Sequence, residues 1–137
     1  MSVDKVLYTA RVHTTGGREG VAKSSDGHLE VKLFTPGSAS GGTNPEQLFA
    51  AGWSACFLSA MKIVAAKMKT ALPADTVLDA EVDLSTGDGG FFLSARLNIA
   101  APGLQRDVVE AIVTGAHQTC PYSKATLGNV NVVINLT

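Results

Sequence analysis

Asn44-Pro45-Glu46-Gln47-Leu48-Phe49-Ala50-Ala51-Gly52-Trp53-Ser54-Ala55-Cys56-Phe57-Leu58-Ser59-Ala60-Met61 is the stretch whose reading decides the architecture of this chain. Asn44 can cap a helix, Pro45 suits its first position and Glu46 complements the positive end of the dipole. No charge interrupts Leu48 to Met61, and apolar residues continue almost all round the helix to Ala66. Such a helix is expected to lie deep in a core. The uncharged run is 14 residues, short of the roughly 20 that a membrane span needs. Leu72-Pro73 is expected to end the helix.

Outward from this helix the pattern changes to period two. Val6, Tyr8, Ala10 and Val12 alternate with Leu7, Thr9, Arg11 and His13, which predicts a strand from Val6 to Thr14. Gly16-Gly17 breaks it, Val21 to Ser25 predicts a second strand, and Asp26-Gly27 predicts a hairpin into a third, His28 to Leu33. Thr35 to Thr43 reads as a loop. After the helix, Leu78 to Leu84 and Phe91 to Ile99 alternate around Gly87-Asp88-Gly89-Gly90 and predict another hairpin. A helix follows from about Leu104 to Cys120, stopped by Pro121, and Val130, Val132, Ile134 and Leu136 predict a last strand. The order βββ-α-ββ-α-β is that of an α+β domain with mostly antiparallel sheets, a single domain over residues 1–137.

Composition narrows the function. The chain has 137 residues, a net charge of −1, 17% charged residues and two cysteines. A near-neutral chain excludes electrostatic binding of nucleic acid or an anionic membrane. Charge content below the roughly 25% of typical soluble domains is expected where part of the surface is covered by another subunit. Met1 to Arg11 lacks the apolar stretch of a secretory signal, so a cytoplasmic protein is expected. Two cysteines make neither a disulfide scaffold nor a four-cysteine zinc site, but they are enough for a redox pair.

Cys56 lies in the apolar helix and Cys120 at the end of the later helix, and they form no CxxC motif. One reading makes both small, inert core residues. The other makes them reactive, which requires a local positive field to hold a thiolate. A helix break at Gly52 would turn Ser54 into a second N-cap and put Cys56 in a first helical turn. Arg18, after two glycines, is a plausible cation, and Glu46 could hold its guanidinium. In a straight helix Glu46 and Cys56 would be about 15 Å apart along the axis, so a break near Gly52 is expected if one Arg18 serves both.

At these residues the sequence resembles the organic hydroperoxide resistance family of thiol peroxidases, within the OsmC-like superfamily. The matching stretches are Thr15-Gly16-Gly17-Arg18-Glu19-Gly20, Ser24-Ser25-Asp26-Gly27, the run Asn44 to Phe57, and Ala116-His117-Gln118-Thr119-Cys120-Pro121-Tyr122-Ser123, continued by Gly128-Asn129-Val130. The resemblance implies an intertwined homodimer with active sites at the subunit interface and antiparallel sheets packed around two central helices. It implies a peroxidatic Cys56, a resolving Cys120, a thiolate-activating Arg18 and its carboxylate partner Glu46. It further implies organic hydroperoxides, including those of fatty acids, as substrates, and a dihydrolipoyl-bearing protein as reductant. No cofactor is implied. Trp53 stands where Tyr is frequent, Lys124 and Leu127 where Asn and Arg are common, and the 35–43 loop is short. These departures bear on pocket shape and leave the four-residue set intact.

Around Cys56 the residues Leu48, Phe49, Trp53, Phe57 and Met61, with Phe34, Phe91 and Phe92 from strands, are candidates for an apolar pocket, with Phe49, Trp53, Phe57 and Phe34 foremost. Two other classes are a metal-binding module and a non-enzymatic binder of an apolar ligand with inert cysteines. The metal module would use His117 and Cys120, one helical turn apart, with His13 and His28.

Overall fold

The computed structural model describes residues 4–38 and 41–137, in two compact units, Met1–Pro45 and Glu46–Thr137. In the first unit, strands β1 (Val12–Thr15), β2 (Val21–Ser24) and β3 (Glu30–Lys32) form an antiparallel sheet in that order. The first strand is shorter than its alternation predicts. Val12 already pairs with Ser24, where β2 ends, and once the Ser25 N–H has donated to Arg11 O at 2.9 Å the chain turns at Asp26-Gly27, so residues 6–10 have no continuing strand to bond. Val6, Leu7 and Tyr8 are instead 77–88% exposed. The third strand also starts late. The Asp26 carboxylate accepts the His28 N–H at 3.0 Å and the Ser24 hydroxyl accepts the Leu29 N–H at 2.9 Å, so both residues belong to the turn.

Between β1 and β2, Gly16 adopts a φ of 75° and the backbone of Gly20 folds against the Thr15 carbonyl so closely that a Cβ there would collide with it. These two glycines permit the single 3₁₀ turn Gly17–Glu19 that carries Arg18. Of the predicted 35–43 loop, Ala39 and Ser40 lie outside the described residues.

The second unit is built on α1, Pro45–Lys67, a helix of 23 residues. It ends before Leu72-Pro73, because Lys69 at φ 57° lets Lys69 N–H reach Ala66 O at 3.0 Å and Thr70 N–H reach Ala65 O at 2.9 Å. This paired closure satisfies the last carbonyls. By length and apolarity α1 would suffice to cross a membrane, but Trp53, Phe57, Ala60, Met61 and Ala65 form a buried stripe that is the core of this unit. Burial is one-sided, contrary to expectation: Ile63 on the opposite side is half exposed.

Strands β4 (Val77–Gly87) and β5 (Gly90–Ala100) make the predicted hairpin, paired from Val77 with Ala100 to Gly87 with Gly90 across the turn Asp88-Gly89. Helix α2 (Arg106–Thr119) leads to a short α3 (Pro121–Thr126) and to β6 (Asn131–Leu136). Pro121 does end α2, but it also opens α3, since a first helical position needs no N–H. The α2–α3 connection returns the chain to the starting end of β5, so β6 pairs parallel to β5, the one parallel pair among the described strands. Ala95, Leu97 and Ile99 of β5 face Val109, Ile112, Val113 and Ala116 of α2 and the α1 stripe in one apolar cluster. The other face is polar: Arg96 bonds Asp83 at 2.7 Å and Glu81 at 3.3 Å.

Candidate active site

Cys56 projects from the middle of α1, partly buried, while Cys120 is fully enclosed; both are free thiols. Cys120 stands at an elbow. Its N–H closes α2 on Ala116 O at 2.8 Å, and its carbonyl accepts the Lys124 N–H of α3 at 3.0 Å. Its extended backbone, φ −63° and ψ 123°, breaks the helical path between them. The elbow puts the Cys120 thiol beside that of Cys56.

Burial pushes the Cys56 thiol above its ordinary pKa, and the Cys120 thiol beside it pushes the same way. The Tyr122 backbone N–H, in the first turn of α3, acts in the opposite direction by favouring the thiolate. The expected break at Gly52 is absent: α1 is continuous from Pro45 to Lys67. Ser54 is no second N-cap, since its hydroxyl donates back to Ala50 O at 2.7 Å. Gly52 has a different role. Its bare Cα makes room for the Tyr122 ring, whose hydroxyl oxygen would lie 3.0 Å from a Cβ at that position.

An aromatic layer surrounds this contact. Phe49 packs on Trp53 with ring centroids 5.3 Å apart and on Tyr122 at 6.1 Å. Trp53 and Phe57 are fully enclosed and belong to the core; partly buried Phe49 and Tyr122, the latter 40% exposed, lie nearer solvent. The Trp53 indole N–H donates to the Ser123 hydroxyl at 3.1 Å. Leu48 is partly buried on α1, and Met61 is core. Phe91 and Phe92 are exposed near the β4–β5 hairpin tip. Phe34 belongs to the first unit, its ring over Gly42. Arg18, also in that unit, is half-buried and engaged in an interaction. Glu46 sits in the first turn of α1, about 15 Å along the axis from Cys56.

Among the described residues no three His, Cys, Asp or Glu side chains gather as a metal site would require. His117 packs against Phe57 with centroids 6.2 Å apart, its Nδ1 buried without a hydrogen-bond partner. His28 faces Asp26 at 3.3 Å in the β2–β3 turn.

The sequence pattern of the OsmC-like protein family matches residues 35–135. The chain belongs to the OsmC-like family. Within it, the chain falls in the organic hydroperoxide resistance branch. It is 50% identical over 139 aligned positions to the organic hydroperoxide resistance protein of Xanthomonas axonopodis pv. citri, covering 98% of each chain. The crystal structure of the organic hydroperoxide resistance protein OhrB of Bacillus subtilis superimposes with a TM-score of 0.91 at 41% identity, over 96% of this chain and 100% of that one. An organic hydroperoxide resistance protein from Legionella pneumophila superimposes equally well, TM-score 0.91 at 42% identity, over 97% and 99%.

In this OsmC-like chain the sequence reading selected both cysteines, and the fold brings them together. It did not select Tyr122 or Ser123, although both lie in the quoted stretch after Cys120. Reading Pro121 as the start of a helix would have placed Ser123 in the first turn after Cys120.

Proposed function

We propose that this chain is a cysteine-based peroxidase that reduces organic hydroperoxides to alcohols, acting as one domain over residues 1–137. The observation that carries the reading is the apposition of Cys56 and Cys120. Near-full-length relatives named for organic hydroperoxide resistance support it. The Cys56 thiolate attacks the distal peroxide oxygen; the S–O bond forms, the O–O bond breaks, and the alcohol leaves with a proton. Cys120 then attacks the Cys56 sulfenic acid, forming the S–S bond and releasing water before irreversible overoxidation. A dihydrolipoyl-bearing protein returns both thiols by exchange. The two sulfurs supply both electrons, so the cycle needs no metal, flavin or haem.

Arg18 stabilises the thiolate and the departing oxygen, and Glu46 orients Arg18. An unbroken α1 separates Glu46 from Cys56 of its own chain, which favours a site completed across a homodimer. In that arrangement the partner subunit's Arg18 and Glu46 meet this chain's Cys56. The half-exposed Ile63 side of α1 and the bare Val6-Leu7-Tyr8 segment are apolar surface suited to such an interface. The setting is cytoplasmic, where reducing conditions keep the pair open.

The test is a thiol titration. One equivalent of cumene hydroperoxide should remove two thiols per chain, and dihydrolipoamide should restore them faster than glutathione does. An unchanged titre would favour a non-enzymatic binder of apolar ligands. Arg18→Ala should slow the oxidation while leaving the fold in place. Catalytic efficiency should be higher for cumene hydroperoxide than for hydrogen peroxide; the reverse order would remove the apolar-pocket argument.

A further inference from the structure

We infer that Trp53 and Ser123 are positioning residues for the thiol pair: their hydrogen bond is a strut that sets the distance between Cys56 and Cys120. Trp53 lies three residues before Cys56 on α1, and Ser123 three residues after Cys120 on α3. On α1 three residues is about one helical turn, so Trp53 lies beside Cys56 on the same side; Cys120 is the residue that caps α3, and Ser123 lies in the first turn after it. The strut and the thiol contact therefore join the same two strands of chain side by side. The indole N–H donates to the Ser123 hydroxyl at 3.1 Å, with Trp53 0% and Ser123 1% exposed. A buried bond of this kind is selective for geometry, because any displacement of α3 strands a donor away from water.

Helix α3 has reason to need such a fastening. It is six residues long, far below the length at which a helix holds itself together. It hangs from the Cys120 elbow, whose backbone is extended. Thr126 ties α3 internally, donating to Tyr122 O at 3.0 Å and Ser123 O at 3.1 Å, so the short helix moves as one piece. Where Ser123 is held, the first turn of α3 stays beside Cys56 and Cys120 stays next to it.

The inference builds on the thiol-peroxidase reading, but its first readout does not depend on peroxide. In a glutathione redox buffer the Cys56 thiolate attacks oxidised glutathione and expels one reduced glutathione. Cys120 then displaces the second, leaving the Cys56–Cys120 disulfide. The equilibrium gives the effective concentration of one thiol at the other. Ser123→Ala should lower it about three- to tenfold, the weight of one net hydrogen bond. In cumene hydroperoxide the same variant should shift product from disulfide toward Cys56 sulfinic acid.

Trp53→Phe combined with Ser123→Ala separates positioning from stability, and stands in if the single variant does not fold. With no orphaned N–H, the double variant should unfold at a higher temperature than Ser123→Ala while keeping the lowered effective concentration. Wild-type glutathione equilibrium and wild-type sulfinic yield in these variants would overturn the strut. A wild-type chain that pairs its thiols in glutathione but not with peroxide would overturn the peroxidase reading alone. A chain that pairs them in neither would overturn both.

Discussion

Two glycines inside helices should respond to alanine in opposite directions. At each, alanine gains about 1 kcal/mol of helix propensity, so the sign depends on what the new methyl meets. On α2, a Cβ at Gly115 would lie 2.9 Å from Val64 Cγ1 and 3.2 Å from its Cγ2. Val64 is β-branched and stiff at χ1 in a helix, and turning it only exchanges one methyl for the other. Overpacking of this kind costs about 1–3 kcal/mol. Gly115→Ala should therefore lose between about 0 and 2 kcal/mol net.

On α1, a Cβ at Gly52 would meet the Tyr122 hydroxyl oxygen at 3.0 Å and its Cε2 and Cζ at 3.3 Å. These atoms are the far end of a side chain that is 40% exposed and can yield by a few tenths of an ångström. Gly52→Ala should keep most of its gain, about 0.5–1 kcal/mol. Urea unfolding of the reduced proteins, monitored by Trp53 fluorescence, measures both. Gly115→Ala more stable than wild type, or Gly52→Ala the less stable of the two, would refute this reasoning.

Oxidation of Cys56 should accelerate about tenfold per pH unit below the thiol's pKa, because only the thiolate attacks; stopped-flow fluorescence reads the profile. In Cys120→Ser the profile should move to lower pH, because both upward contributions of the neighbouring thiol are gone. The same variant should complete one reduction and stall as a sulfenic or overoxidised species, identified by intact mass. Asn98 and then Arg96 hold the Glu81 carboxyl below its ordinary value, and Arg96 holds Asp83 below its own. Their stabilisation is present above the unfolded values near 4 and is lost as pH falls through the lower folded ones. Arg96→Met should flatten that acid limb in urea midpoints measured between about pH 5 and pH 2.

The sequence carried the main elements because their signals are local. Alternation from Val77 to Ala100 around Asp88-Gly89, and capping residues before an apolar run, need no knowledge of the rest of the chain. Misreadings arose where a residue serves two purposes. Pro121 stops one helix and starts another, and Gly52 looks like a breaker until the ring that occupies its space is known. The alternation of residues 6–10 describes a surface, but a strand also needs a neighbour with free hydrogen bonds, and β2 ends too soon. The two cysteines were legible as chemistry. The tie between Trp53 and Ser123 was not, because it joins side chains 70 residues apart and leaves no periodic mark.

The elbow at Cys120 also has a consequence for how the chain is made. Cys56 leaves the ribosome well before the crossover that carries Cys120, and a parallel strand such as β6 can pair only after its connection has been completed. At about 5–20 residues per second, the interval between the two cysteines is several seconds. During that time Cys56 belongs to a growing chain with no second thiol beside it, and an oxidant reaching it finds no partner to close the disulfide. Synthesis under peroxide stress is thus the stage at which Cys56 depends most on the surrounding thiol pool.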